Sequence, residues 1–569
     1  MTQGENDAAT VSPFWIKLAI QGGVALAILG TLSFGGFRYY RHWQPARLAR
    51  QAHDFIAKGD TANASIALRR ALEINPLSEE AAREMVVLME KLQRPEALGW
   101  RERVAGIHPG ASDDALAWAA TAIRQGESVP ARRALDSVEE NSRQTAPYHA
   151  LAGVTAIAEG RVGEARKHFS EALKLDPTND LHRYNFAVLQ LQSPDVATRG
   201  AGRQTLSELA KSGRLQLNAR RTLIKELMLE KSWEEARRLS AEQLAAPGAE
   251  FADRIAHLDL LSQAQSPALA AFLAETQQAT RAGKPEQIAA LATWMRFGGS
   301  AADALKWIAS LDPKTAAHQR IGAARAECLI VTGDWPGLLT LVEPGQWADL
   351  EYTRLAYFSR ALRELNDAGQ SRVRWEAAIA AAKSRDQSSQ LALLAARWGW
   401  EFELRDTLWA STRQPAPGWA LQMLHRYYLG AGNTDGLLRV AARFAEIDPQ
   451  SATAHNNVAM LSLLLRRDLP TATVTARELH AKEPANPVFA STHAYALHLA
   501  DRSAEGLKVL QALRPEKLRE PSIALYHSIL LVATGAKADA QPFLDLAKAA
   551  PLLPEEKSLL AEAQKSSAL

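Results

Sequence analysis

From about residue 45 onward the chain repeats one pattern: apolar residues fall three and four positions apart, with charged and polar residues between them. That spacing predicts amphipathic α-helices, because positions i, i+3, i+4 and i+7 share one helix face. Runs that alternate apolar and polar residues, as half-buried strands require, are nearly absent. Two kinds of punctuation break the helical runs. One contains glycine: Lys58-Gly59-Asp60, Gln125-Gly126-Glu127, Glu159-Gly160-Arg161, Thr332-Gly333-Asp334, Gly430-Ala431-Gly432 and Thr534-Gly535-Ala536. Glycine there supplies the left-handed residue that ends the first of two helices. The other contains proline: Pro76, Pro109, Pro177, Pro313, Pro449 and Pro484. Proline cannot continue a helix, so it marks the end of a helix pair. Glycine within the pair and proline after it define a helical hairpin, which recurs about every 34 residues.

The N-terminus follows a different pattern. Leu18 to Phe37 carries no charged residue. At ~1.5 Å rise per residue, such a run spans roughly the hydrocarbon core of a bilayer. Phe14 and Trp15 precede it, and Tyr39, Tyr40 and Trp43 follow it, as an interfacial belt would. The first 16 residues hold no Lys or Arg, and no A-x-A cleavage pattern lies after the apolar run, which argues against a secretory signal peptide. The expectation is a single-pass anchor over residues 16–37. Arg38, Arg41, Arg47 and Arg50 lie after it, whereas Glu5 and Asp7 lie before it. The positive-inside rule then places the soluble domain on the cytoplasmic side, with the periplasmic side as the alternative. The predicted organisation is a polar tail (1–15), a transmembrane anchor (16–37), an N-terminal helical array (38–282), a divergent Trp-rich stretch (283–417) and a C-terminal array (418–569). Pro415-Ala416-Pro417-Gly418 is the candidate hinge.

Within the hairpins, small and large apolar residues recur in register. The clearest copy, Ala146 to Asn179, carries Gly153 in its first helix, then Ala165, Phe169, Ala172 and Pro177. An early copy has Ala64, Leu68, Ala71 and Pro76, and a late one Ala540, Leu544 and Ala547. Tyr184-Asn185-Phe186-Ala187, Asn457-Val458-Ala459 and His493-Ala494-Tyr495-Ala496 open further copies, and Trp233-Glu234-Glu235-Ala236 begins another second helix. This pattern resembles the tetratricopeptide repeat family over residues 45–76, 146–190 and 418–550, and only weakly between 240 and 417. The resemblance implies an all-α, right-handed α-solenoid of antiparallel helix pairs. Such hairpins cannot bury their apolar faces alone, so neighbours must cover them.

Composition narrows the function. The apolar fraction is 47%, the charged fraction 23% and the formal net charge +3, so neither disorder nor polyanion binding is indicated. The single cysteine, Cys328, excludes an intramolecular disulfide and a cysteine-based zinc site, and it reads as a buried apolar residue. No P-loop, H-E-x-x-H or G-x-S-x-G motif occurs, and His493 and His498, five apart, do not share a helix face. Gly430-Ala431-Gly432 with Gly436 has the wrong spacing for a dinucleotide loop. The acid pairs Glu79-Glu80, Asp113-Asp114, Glu234-Glu235 and Glu555-Glu556 sit near predicted helix starts, where carboxylates complement the helix dipole. No catalytic residue, metal site, nucleic-acid partner or small-molecule cofactor is expected.

The resemblance implies binding of other proteins or peptides on the concave face made by the first helix of each pair. On that register Tyr184, Asn185, Asn456 and Met460 are the candidate partner-binding residues. The family's clamp for a C-terminal carboxylate is missing, because Ala150 and Val154 stand at the corresponding places. The expected function is a membrane-anchored scaffold for envelope or export-complex assembly. Two readings compete with it. One is a carbohydrate-binding or glycan-processing envelope protein, using the nine tryptophans of residues 284–420. The other is an enzyme with its site in residues 240–417. Core packing remains the expectation for the tryptophans, since aromatic side chains carry much of a core's buried area.

Overall fold

The computed structural model describes residues 40–41, 43–298, 300–414 and 417–568. Every regular element among them is a helix, and no strand is present there. Helices, most of them 13 or 14 residues long, alternate with short turns, and within each compact unit most pack against their neighbours in sequence. First helices begin at Glu79, Ser112, Ala146, Asp180, Gln216, Phe251, Pro285, Gln319, Glu351, Arg385, Gly418, Ala452, Pro487 and Pro521. The interval is about 34 residues throughout. The stretch from 240 to 417, where the sequence resemblance is weak, keeps the same interval. The described chain divides after Leu273 into two compact units. Pro415 and Ala416 of the candidate hinge lie outside the described residues.

The hairpin Ala146–Ala158/Val162–Leu175 shows why this sequence folds this way. Gly160 takes φ +75° in the turn, which a side chain would disfavour. Gly153 lets the Phe169 ring lie across the first helix: a Cβ there would come within 2.8 Å of the ring. Ala165, Phe169 and Ala172 are 0% exposed, as are Ala64, Leu68 and Ala71 early in the chain and Ala540, Leu544 and Ala547 late in it. Burying a side chain such as Phe169 contributes about 1.5–3 kcal/mol.

Ion pairs join successive first helices. Arg83 donates to both carboxylate oxygens of Asp114 (2.7 and 2.6 Å), and Arg221 does the same to Asp253 (2.7 and 2.9 Å). Asp114 and Asp253 are buried while the arginines stay partly exposed, so each two-pronged bond ties one first helix to the next at a half-sheltered site.

The tryptophans of residues 284–420 pack inward. Trp294, Trp307, Trp347, Trp375 and Trp400 are buried, and Trp335, Trp398, Trp409 and Trp419 are half-buried. Trp375 meets Trp398 and Trp400 edge-on at 6.2 and 5.6 Å. No row of exposed indoles exists there, so the carbohydrate reading loses its basis.

The membrane placement needs correction. Among the described residues no helix is long and apolar enough to cross a membrane. A helix of 14 residues rises only about 21 Å, short of a hydrocarbon core of about 30 Å. The single-pass location with a cytoplasmic domain is therefore withdrawn. Residues 16–37, to which the anchor was assigned, lie outside the described residues.

Seven histidines are held below their ordinary pKa, with burial the largest cause: His149, His168, His257, His480, His493, His498 and His527. The folded state keeps them neutral at pH values where the unfolded chain, titrating near 6.5, already binds protons. Their contribution to stability is thus complete above about pH 6.5 and is lost as pH falls. The slope is at most about 1.4 kcal/mol per pH unit for each extra proton the unfolded chain takes up. Urea midpoints should drop between pH 7.5 and pH 5; a midpoint that holds or rises would contradict the assignment.

Candidate partner-binding groove

A sizeable cavity lies in the C-terminal unit. Helices Gly418–Gly430 and Ala452–Leu464 are the first helices of consecutive hairpins, and both pack on Thr434–Ile447. Their starts are set locally. Pro417 precedes the first, and the Ser451 hydroxyl caps the second by accepting from Ala454 N–H (3.3 Å). The Asn433 side chain caps the helix between them, accepting from Gly436 N–H at 2.7 Å. Gly436 must lack a side chain, because a Cβ would strike the Tyr428 ring. That close approach sets the depth of the hairpin crossing.

The cavity measures about 900 Å³. Gln422, His425, Arg426 and Leu429 face it from one stripe of the first helix, at spacings of three and four. Thr453, Asn457, Met460, Leu461 and Leu464 face it from the next first helix, and Leu437, Ala441 and Phe444 line it from the helix between. Residues 550–553 and Glu556 form a further side. That side comes from the far end of the unit. The Thr434 hydroxyl donates to Glu555, 121 residues away, and Pro554 lies against Gly432.

The polar groups of the cavity differ in what they have left to offer. Glu556 is fully used: it accepts from the Tyr526 hydroxyl (2.6 Å) and from Leu553 N–H (2.9 Å). Burial, and then the Glu556 charge, push the Tyr526 phenol well above its ordinary pKa, so it stays a donor. Asp448 accepts from Gln450 N–H (3.2 Å). By contrast, the side chains of Gln422, His425, Arg426 and Asn457 bond to no other described residue. The cavity therefore pairs an apolar floor with two amides, an imidazole and a guanidinium that are free to meet a ligand.

The four residues expected from sequence fall in two different units. Met460 lines the cavity. Asn456 does not: it is 1% exposed, turned into the hairpin core, and its side-chain oxygen finds no donor among the described residues. One residue along a helix is a turn of about 100°, so the amide that faces the cavity is Asn457. Tyr184 is half-buried, and its hydroxyl joins Thr222 (2.8 Å) on the next first helix, a bond between repeats. Asn185 is also half-buried. Gln422, His425 and Arg426 were missed because no family motif covers them. Their common stripe on the helix was the signal available.

The 240–417 stretch holds a smaller cavity of about 370 Å³, lined by Arg296, Arg320, Arg397, Glu286, Glu327 and Tyr357. Its acids are engaged: Glu327 accepts from Tyr357 (2.8 Å) and Arg397 (2.5 Å), and Glu286 pairs with Arg320 (3.1 Å). The Tyr357 phenol is raised well above its ordinary pKa by burial and by Glu327. Cys328 is buried, which pushes its thiol up to about 11 and leaves it unreactive near neutral pH.

No family model matches the sequence, and no curated protein matches it. Among solved structures, PilF of Pseudomonas aeruginosa aligns at 16% identity over 36% of this chain and 92% of its own, with a TM-score of 0.29. MamA of Desulfovibrio magneticus RS-1 aligns at 16% over 30% and 97%, with a TM-score of 0.27. The APC/C Cut9–Hcn1 hetero-tetramer aligns at 11% over 82% and 99%, with a TM-score of 0.29. TM-scores this low do not establish a shared fold. The repeat architecture rests instead on the chain itself: helical hairpins about 34 residues apart, packed on one another within each unit.

Proposed function

We propose that the protein is a non-enzymatic interaction scaffold, and that the groove of its C-terminal unit takes a segment of a partner protein. One observation carries this reading: Gln422, His425 and Arg426 stand unengaged in a row opposite Asn457 and Met460, above an apolar floor. Amides can meet a peptide backbone, and the apolar floor can take its side chains. Met460, flexible and polarisable, adapts to more than one side-chain shape. Arg426 favours an acidic group on the bound segment.

The test is selection of a displayed random-peptide library against the full chain. A family of apolar peptides with an acidic residue should emerge. Binding should weaken about tenfold or more, a loss of about 1.4 kcal/mol, in Arg426→Glu and in Met460→Lys. It should be unchanged in Val474→Lys, on an exposed face of the same unit. Failure to select any family, or affinities indifferent to the groove changes, would remove the proposal.

A further inference from the structure

The hairpin Ala146–Ala158/Val162–Leu175 brings two histidines face to face. His149 Nδ1 lies 2.9 Å from His168 Nδ1, with ring centroids 5.2 Å apart and planes at 41°. Tyr148 packs edge-on against both rings, at 5.6 and 6.3 Å. His149 also lines a cavity of about 410 Å³ with Tyr148 and Glu171, so solvent reaches the pair.

Two neutral imidazoles at this distance share a single proton, one nitrogen donating and the other accepting. A metal ion can take the place of that proton. With metal–nitrogen bonds of about 2.0–2.1 Å, nitrogens so separated subtend about 90° at the metal. That is the angle between adjacent ligands in octahedral or square-planar coordination. Imidazole donors and this angle suit copper(II) and nickel(II) and admit zinc, whereas calcium and magnesium prefer oxygen.

Burial disfavours protonation of both rings and keeps their nitrogens free to coordinate, while two carboxylates lie near enough to offset the charge of a bound ion. Glu171 acts on His149, and Glu164 acts on His168. Arg132, the cation that acts on His168, is itself paired with Glu159. The other close histidine pair, His480 and His493, is stacked at 5.3 Å and 26°, so its rings lie parallel rather than joined nitrogen to nitrogen. Among the described residues no three potential ligands converge. The protein therefore supplies two nitrogens and water completes the shell.

We propose that His149 and His168 form a two-imidazole site for a divalent transition-metal ion of the copper, nickel or zinc kind, bridging the two helices of one hairpin. Copper(II) titrated into the full chain should give an electron paramagnetic resonance signal with splitting from two nitrogens. His149→Gln and His168→Gln should each weaken binding about tenfold or more, with helicity by circular dichroism confirming that the variants fold. His480→Gln should leave it unchanged. A second measurement needs no variant: with copper, ascorbate to reduce it and dioxygen as the oxidant, the wild-type chain should gain oxygen at His149 and His168, read by peptide mass spectrometry. Adducts found only elsewhere, or copper binding indifferent to both substitutions, would overturn the site.

Discussion

Gly506→Val should destabilise the C-terminal unit by about 3 kcal/mol, with helicity lost at lower urea concentration. Gly506 lies in helix Ser503–Gln511, where that helix crosses Pro487–Leu499. A Cβ built there would come within 2.7 Å of the Ala494 carbonyl oxygen and 3.1 Å of Leu530 Cδ2. The leucine could turn aside. The carbonyl is fixed in its own helix, so the two helices must separate. Overpacking of this kind typically costs about 1–3 kcal/mol, and valine adds two further methyl groups to the clash. Gly202 faces the same obstacle from the Ala187 carbonyl oxygen, at 2.8 Å. Gly99 is the control: nothing lies within 4 Å of its Cβ position, so Gly99→Ala should gain up to about 1 kcal/mol through helix propensity. An unchanged urea midpoint for Gly506→Val would mean that the crossing is looser than described.

Trp375→Ala should cost about 3–5 kcal/mol, as truncation of a large core aromatic does. Trp375 is 2% exposed, and its indole N–H donates to the Glu403 carbonyl at 3.3 Å. It is the innermost of three tryptophans, with Trp398 and Trp400 also in edge contact with each other at 5.0 Å. Arg363 caps Trp400 from 4.3 Å, so the cluster also anchors a cation. Trp375→Phe keeps much of the volume and loses only the indole bond, while the Glu403 carbonyl keeps its bond from the Thr407 hydroxyl (2.7 Å), so its cost should fall between zero and that of the alanine variant. Chemical denaturation followed at 222 nm measures both. A cost below about 1 kcal/mol for the alanine variant would show that neighbouring hairpins close over the gap.

Much of the fold is readable from the chain because its turns demand a left-handed residue. Gly59, Gly126, Gly160, Gly333, Gly432 and Gly535, chosen from sequence as hairpin turns, all have positive φ. The remaining hairpin turns mostly escaped notice for a physical reason. Gln93, Lys231, Gln265, Asn366, Arg466 and Asp501 hold the same conformation there without being glycine. Each accepts a penalty of about 1–2 kcal/mol that packing outweighs, so composition does not betray the turn. The 240–417 stretch looked divergent partly because Gln265 and Asn366 stand where glycine would have marked it.

The groove was less legible. Met460 could be placed on it from helix register, but a register error of one residue exchanges Asn457 for the buried Asn456. The ion pairs Arg83–Asp114 and Arg221–Asp253 were also hidden. Asp114 read as a complement to a helix dipole, whereas its main partner lies one repeat earlier. Hydrophobic periodicity reports which face of a helix is buried, not which charged side chains meet across two helices.

The bond from Thr434 to Glu555 has a consequence for how the protein is made. An open row of hairpins can assemble from its leading end while the rest of the chain is still on the ribosome. The groove cannot, because one of its sides is supplied by residues translated more than a hundred codons after the helix they touch. A nascent chain therefore displays the apolar floor around Phe444 and Met460 as a bare face, and the proposed groove is complete only once helix Pro554–Ala568 has docked.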